Sequence, residues 1–473
     1  METTNMISSS ELVNREDELR NIEEALYRLT TPDKKIPKQI LEFNGIGGIG
    51  KTALLERFLQ QCKTIKNLRY SFIDFSKFLK DGKIDLNILN IIVVTIVKQI
   101  NIKNDLFNQI VGAKIDNSRK TDLTPELIKY LRRILKSPQD HAPIVLIFDS
   151  VDVVDQNVKD WLSSILELTV DAGKILFAVA SKISLGLSKR PNLEKKVYSF
   201  RLKELNQEFT LRQIQGFSHF DKIEDLETFA HVVFRMTHGH PLANLIVVSE
   251  ARKDEYNPQT ISNKSYEFVR IIDQQVVREK VFYGYDAKEI DRFREMLTLL
   301  SIPRMFNLNS MGKLISQFAP DHALKSSWHY SNYIRELKAE TSFIRYSQEK
   351  SAYVVDPILR NVFSLMLKNE KLKNFRTIHG FLVDMYTEWI AEAKGTDKTK
   401  FFIEKIYHQL SLEEPINSLL VQFKEFSKIV GRYMPEEQRR DAKQQFIEEF
   451  KLDQDLSEFF NESAKHKIRE MFD

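Results

Sequence analysis

The eight residues Gly45-Ile46-Gly47-Gly48-Ile49-Gly50-Lys51-Thr52 carry the chemistry most plainly written in the chain. Their spacing, G-x-x-x-x-G-K-[ST], builds a phosphate cradle when a strand precedes it and a helix follows. Glycines let backbone N–H groups approach an anion closely. The helix N-terminus, opening at Lys51-Thr52-Ala53, adds positive potential. The Lys51 ammonium can bridge the outer phosphates of a nucleoside triphosphate, and the Thr52 hydroxyl can ligate Mg²⁺. Such a loop needs an acid at the tip of another strand to organise the metal. Asp149 stands at the end of the apolar run PIVLIFD and has that character. A second acid often follows and orients water; here Ser150 takes its place. Asp152 can orient water or cap the next helix, and the sequence leaves both open.

The elements that must hold these groups can be read by pattern. Apolar runs at Gln39–Asn44, Tyr70–Phe75, Pro143–Asp149, Lys174–Ala180 and Val197–Leu202 predict five strands. Helical patterns lie between them, at 15–30, 51–62, about 86–100 and 124–137, with Ser8–Ser10 placed to cap the first. This alternation predicts an α/β fold with a parallel five-stranded sheet covered on both faces. Beyond Glu204 the patterns are helical to about 300. A hairpin is expected at 342–346 and 352–355, and helix again to the end. The expected divisions are a phosphate-loop domain 1–203, a small helical domain 204–284, a winged-helix domain 285–370 and an all-α region 371–473.

Composition narrows the function classes. With 42% hydrophobic and 29% charged residues, the chain can bury cores and is not disordered as a whole. A formal charge of +4 is too even for a protein that coats nucleic acid by charge. The single cysteine, Cys62, excludes an internal disulfide and a cysteine-rich zinc module. The longest apolar stretch, Leu86–Val97, is about 12 residues against roughly 20 for a membrane span. A cytoplasmic protein without membrane association is expected. The histidines lack metal-ligand spacing. The aromatics Phe401, Phe402, Tyr407, Phe446, Phe450, Phe459 and Phe460 are expected to be packing residues.

Further motifs, in order, resemble the STAND class of signal-transduction P-loop ATPases, which includes the NB-ARC and NACHT switches. Leu12-Val13-Asn14-Arg15-Glu16 resembles the class's entry motif beside the adenine, with Asn14 in place of a glycine. GIGGIGKT and LIFDSVD are similar to its phosphate loop and magnesium strand. Gly173 to Ser181 resembles the strand whose tip carries a γ-phosphate-sensing arginine; Ala180 takes that place, and Ser181 or Lys182 can substitute. Gly239-His240-Pro241 is similar to the G-x-P motif, whose proline packs on adenine. Tyr353 to Arg360 resembles the end of a winged-helix domain with a His-Asp pair that contacts ADP; here Val355 replaces the histidine and Asp356 remains.

The resemblance covers about residues 10–370. It implies an ATP-dependent switch that binds ATP or ADP with Mg²⁺, hydrolyses ATP weakly or on a trigger, and changes conformation to oligomerise or engage a separate effector or sensor, in defence or stress signalling. Two other classes stay open: a DNA-binding winged-helix ATPase similar to archaeal origin-recognition proteins, and a nucleotide-stabilised scaffold that does not hydrolyse. Basic residues around 300–350 are diluted by acids, so nucleic acid is possible but not favoured.

Overall fold

A phosphate loop works only if its strand and the acid-bearing strand sit close in one sheet. A computed structural model, which describes residues 12–31, 34–79, 84–100, 122–136, 142–171, 174–217, 226–252, 257–348, 350–452, 456, 459–460 and 462–472, shows that sheet. The strands are β1 (Ile40–Asn44), β2 (Arg69–Asp74), β3 (Ile144–Asp149), β4 (Ile175–Ser181) and β5 (Val197–Arg201). They pair in parallel in the order β2-β3-β4-β1-β5. Every residue of β3 and β4 is buried, which explains their unbroken apolar runs. Neighbouring strands lie about 4.8 Å apart, so β4 alone separates the loop-bearing β1 from the acid-bearing β3.

The helices beside the sheet follow the expected pattern. They are α1 (Glu16–Thr30), α2 (Lys51–Thr64), α3 (Leu86–Gln99), α4 (Thr124–Lys136) and α5 (Gln156–Thr169). Asp85 and Asp155 cap α3 and α5 by accepting from Ile88 and Val158 N–H groups, each worth about 1 kcal/mol. The expected serine cap of α1 is corrected. Arg15 holds the cap position without a side-chain cap bond, because a guanidinium has donors only and cannot accept from the helix N–H groups; the acids Glu16, Asp17 and Glu18 suit the first turn instead. Ser8–Ser10 lie outside the described residues.

Five further elements complete this unit, which comprises residues 1–287 and 339–342. They are α6 (Gln207–Gln215), α7 (Leu226–Thr237), α8 (Pro241–Ala251), α9 (Pro258–Asn263) and α10 (Ser265–Ile272), the last continuing into a π-helical segment, Asp273–Val281. Two five-residue spacings mark the wider turn: Phe282 N–H donates to Val277 C=O at 2.8 Å, and Arg278 Nε donates to Asp273 Oδ2 at 3.0 Å. Such turns are rare and are found most often at functional sites.

The second unit comprises residues 288–338 and 343–473. Its two-stranded antiparallel hairpin pairs Ile344–Ser347 with Ala352–Val355, and Phe306 bonds Tyr353 through both backbone groups at 2.8 and 2.9 Å. Asp356 ends the hairpin and caps helix Pro357–Glu370, accepting from Ile358 N–H at 3.2 Å. The remainder is helical. Phe402, Phe423, Phe426, Phe446 and Phe460 share one apolar core, while Phe459 is exposed and the Phe450 side chain lies outside the described ones. Arg304 is buried here between Glu404 and Glu449, the latter at 2.8 Å.

Candidate functional site

The loop Gly45–Gly50 leaves the carboxyl end of β1 and opens α2 at Lys51. Gly48 and Gly50 have φ of 84° and 100°, which a side chain rarely adopts. Ile46 and Ile49 are buried and anchor the loop from below. Its N-terminal flank is fixed by Gly45 N–H donating to Lys182 C=O at 3.2 Å. Thr52 and Ala53 form the first turn of α2.

A cleft of about 590 Å³ lies over this loop, within the size range of small-ligand pockets. Lys51, Thr52, Asp149, Ser150, Asp152 and Lys182 line it together with Gly47 and Gly48. Burial pushes the Lys51 ammonium down to about 8, although Asp152 and Asp149 pull it up. In this state Lys51 Nζ donates to the loop's own carbonyls, Gly45 at 2.6 Å and Ile46 at 3.0 Å.

Asp149 emerges from β3 as expected. Burial raises its carboxyl above the usual range, while hydrogen bonds from Thr52 and the Ser150 N–H oppose the rise. Ser150 N–H donates to Oδ1 at 2.7 Å, and Oδ2 is buried without a hydrogen bond of ordinary geometry. A buried carboxylate oxygen beside a threonine hydroxyl fits a hard divalent cation such as Mg²⁺. Among the described residues no group of three or more His, Cys, Asp or Glu is placed to hold a metal. A cation here would rest on Thr52, Asp149, phosphate oxygens and water.

Asp152 accepts from Lys182 N–H at 2.8 Å and faces Lys182 Nζ at 3.6 Å. It thus ties the β3 exit to the tip of β4. Ser181 is buried, with its hydroxyl donated to Ile183 C=O, and Ala180 is enclosed in the sheet; Lys182 is the β4-tip residue that reaches the cleft.

Arg15 is buried, not a surface arginine. Its guanidinium donates to Ile49 C=O at 3.1 Å and Lys203 C=O at 2.9 Å, tying the phosphate loop to the segment after β5. Val13 and Asn14 form the preceding turn, and Asn14 has φ of 57°, so asparagine there takes a left-handed backbone. In the Gly239-His240-Pro241 turn, Leu205 N–H donates to Gly239 C=O at 2.9 Å, and Pro241 opens α8. Asp356 belongs to the second unit.

Two site residues have weaker sequence signals. Asp74 ends β2 opposite Asp149 in register and lines the same cleft, its Oδ1 accepting from Ser76 N–H at 3.1 Å and Oγ at 2.7 Å. Its signal is an apolar strand, YSFID, that ends in an acid as β3 does. His240 is fully buried, its Nδ1 accepting from Ala243 N–H at 3.2 Å. Burial pushes it down to about 4, so the neutral ring carries its proton on Nε2 and donates to Gly47 C=O at 2.9 Å.

The family model described as Nephrocystin 3, N-terminal, matches residues 24–182, from α1 to the tip of β4. No curated protein sequence matches the chain. Among solved structures, a Walker-type ATPase of Pyrococcus abyssi is similar at 13% identity and a TM-score of 0.52, over 74% of this chain and 96% of that one. The ORC2 protein of Aeropyrum pernix, solved with ADPNP and ADP, aligns at 12% identity and a TM-score of 0.46, over 76% of this chain and 95% of that one. A STAND protein of Pyrococcus horikoshii with a tetratricopeptide-repeat sensor aligns at 18% identity and a TM-score of 0.32, over 98% of this chain and 59% of that one. No helix among the described residues is long and apolar enough to cross a membrane. The sheet, the phosphate loop on β1 and the acid on β3, taken with the family match over residues 24–182, make this region a P-loop ATPase domain of the STAND-like kind.

Proposed function

We propose that the protein is an ATP-dependent molecular switch, in which nucleotide at the phosphate loop controls conformation and, through it, oligomerisation or engagement of a partner in defence or stress signalling. The observation that carries this reading is the loop's packing against the helices that follow the sheet. Gly47 C=O accepts from His240, and a Cβ on Gly47 would meet Lys280 C=O at 2.3 Å. Anything that moves the loop must therefore move α8 or the π-helical segment. A binding site coupled this tightly to a neighbouring element is what a population-shift switch requires.

Within it, Lys51 and the loop amides bind the phosphates. Thr52 and Asp149 would hold Mg²⁺, which would neutralise charge on the outer phosphates. Asp74 would orient the attacking water, since it faces the cleft beside Asp149 and its Oδ2 is paired only loosely, at 3.5 Å, with the exposed Lys77, while both carboxylate oxygens of Asp152 engage the buried Lys182. Val13, Arg15 and Pro241 would border the base. The four-domain division, with a winged helix around the hairpin, is part of this proposal.

The test is the nucleotide carried by purified wild type and Lys51→Ala, released by denaturation and separated, with particle mass measured alongside. ADP or ATP in wild type, lost in the variant, and a particle mass that follows the nucleotide state support the switch. No nucleotide in either protein, even after incubation with ATP and Mg²⁺, overturns it.

A further inference from the structure

Lys182 is bound in a way that sheet positioning does not require. Its Nζ donates to two backbone carbonyls about 100 residues downstream, Tyr283 at 2.6 Å and Val281 at 3.2 Å. The rings of Tyr283 and Tyr285 each lie 5.8 Å from the ammonium. Its third tie is the Asp152 carboxylate at 3.6 Å. Val281 ends the π-helical segment, and Tyr283 lies two residues beyond it. One residue before Val281, Lys280 C=O presses on the phosphate loop, and the Glu279 side chain joins the cleft lining.

We propose that Lys182 is a latch that holds residues 279–285 over the phosphate loop, and that a nucleoside triphosphate withdraws it whereas a diphosphate does not. This rests on the nucleotide-binding reading above. Lys182 stands at the tip of β4, between the loop strand and the metal-organising strand. In phosphoryl-transfer sites the terminal phosphate lies between those two groups. A phosphate oxygen carries a full negative charge that the two carbonyls lack, so Coulomb attraction draws the ammonium toward it.

A diphosphate is held by Lys51 and the loop amides, and adds no group at the β4 side. Once Lys182 turns inward, Val281 and Tyr283 lose their donor. The segment is then retained by its own π-type bonds and by apolar burial of Val276, Val277 and Val281. Lys182 thereby does the work expected of a sensing arginine, from two positions beyond the Ala180 place, and transmits the result to the helical segment by letting go of it.

Hydrogen exchange of amides 277–285 in the full chain tests this, measured without nucleotide, with Mg·ADP and with Mg·ATPγS, in wild type and Lys182→Met. Loss of two bonds from a charged donor should raise exchange of this segment in Lys182→Met by about tenfold or more without nucleotide. In wild type, ATPγS should produce a similar rise and ADP none. The preference for ATPγS over ADP in binding should shrink in the variant. A labelled Tyr283→Cys protein gives a second reading with Lys182 intact. Tyr283 is exposed, and Cys62 is buried with its thiol pushed up to about 12, so labelling is selective. The label should report release with ATPγS only, which decides the matter if Lys182→Met fails to fold. Equal responses to ADP and ATPγS, or a segment still protected in Lys182→Met, overturn the latch. If neither nucleotide binds, the switch reading falls, while exchange in nucleotide-free Lys182→Met still judges whether Lys182 holds the segment.

Discussion

The buried ammonium of Lys51 makes nucleotide binding a proton-uptake reaction. Without nucleotide its pKa is pushed down from 10.5 to about 8 by burial. That is a penalty of about 3 kcal/mol on the charged form. Phosphates beside Nζ favour the charged form and return the pKa toward its ordinary range. Between pH 8 and 10 the bound protein therefore holds more protons than the free one, and affinity must fall as pH rises. For a free pKa of about 8, the protonated fraction drops from about nine-tenths at pH 7 to about one-tenth at pH 9, so binding of Mg·ADP weakens by about tenfold. At pH 8 about half a proton is taken up per nucleotide bound. Calorimetry in two buffers of different ionisation enthalpy measures that uptake directly. Lys182 faces the same cleft, and burial lowers its pKa as well, so the wild-type experiment is repeated in Lys182→Met, where Lys51 is the buried lysine left in the cleft lining, Lys280 there being exposed. Lys51→Arg, permanently charged, should bind more weakly at pH 7 but with a flat pH profile. A Kd for wild type that does not change between pH 7 and 9, with no proton uptake, would refute the claim that Lys51 is the buried phosphate-binding cation.

The same geometry gives three further expectations. His240 is held neutral with a pKa of about 4 against 6.5 when unfolded, so it contributes stability that is complete above about pH 6.5 and lost as pH falls toward 4. His240→Gln should remove about 3 kcal/mol of that pH dependence, read as the difference between wild-type and variant denaturation series at pH 4.5 and 7.5. Asp74→Asn should lower ATP turnover at least about tenfold with nucleotide affinity nearly unchanged, whereas Asp152→Asn should loosen the Lys182 tether; turnover lost only in the second variant would reassign the water-orienting role to Asp152. Gly239→Ala places a Cβ 1.8 Å from Leu205 C=O at a φ of 73°, and should cost about 3 kcal/mol or more of stability by chemical denaturation.

Sequence reading succeeded where the physics is local. β3 and β4 are buried on both faces, so their apolar runs declare themselves. The phosphate loop is contiguous, and glycine, lysine and threonine occupy fixed places in it. Asp149 ends a strand and is exposed to the site by that fact alone. The contacts that escaped notice join residues far apart in the chain. His240 meets Gly47 across 193 residues, and Lys182 meets Tyr283 across 101. Asp74 acquires meaning only from the strand order, which brings β2 beside β3. The π-helical segment does leave a trace, since Asp273 and Arg278, and Val276 and Val281, are five apart, but a five-residue period over nine residues is too short to stand out against a helical background.

The departures from the STAND pattern form a connected set once the cleft is considered as a whole. Ser150 stands where a second acid is common, and its left-handed backbone, φ 61°, directs its N–H onto Asp149 Oδ1 rather than toward the cleft. Asp152 follows and engages Lys182; Ala180 supplies no cation, and Lys182 does, two residues later. Moving both the acid and the cation beyond their usual positions keeps them facing each other across the β3 and β4 tips. The cost is that the pair is self-satisfied until an anion intervenes: the ammonium already has a carboxylate and two carbonyls. A site built this way stores its response in contacts that nucleotide must break, so hydrolysis is expected to be slow relative to release of the covering segment. Single-turnover ATP cleavage that outpaces the rise in segment exchange would show the reverse order, and with it that the segment is a bystander to the chemistry.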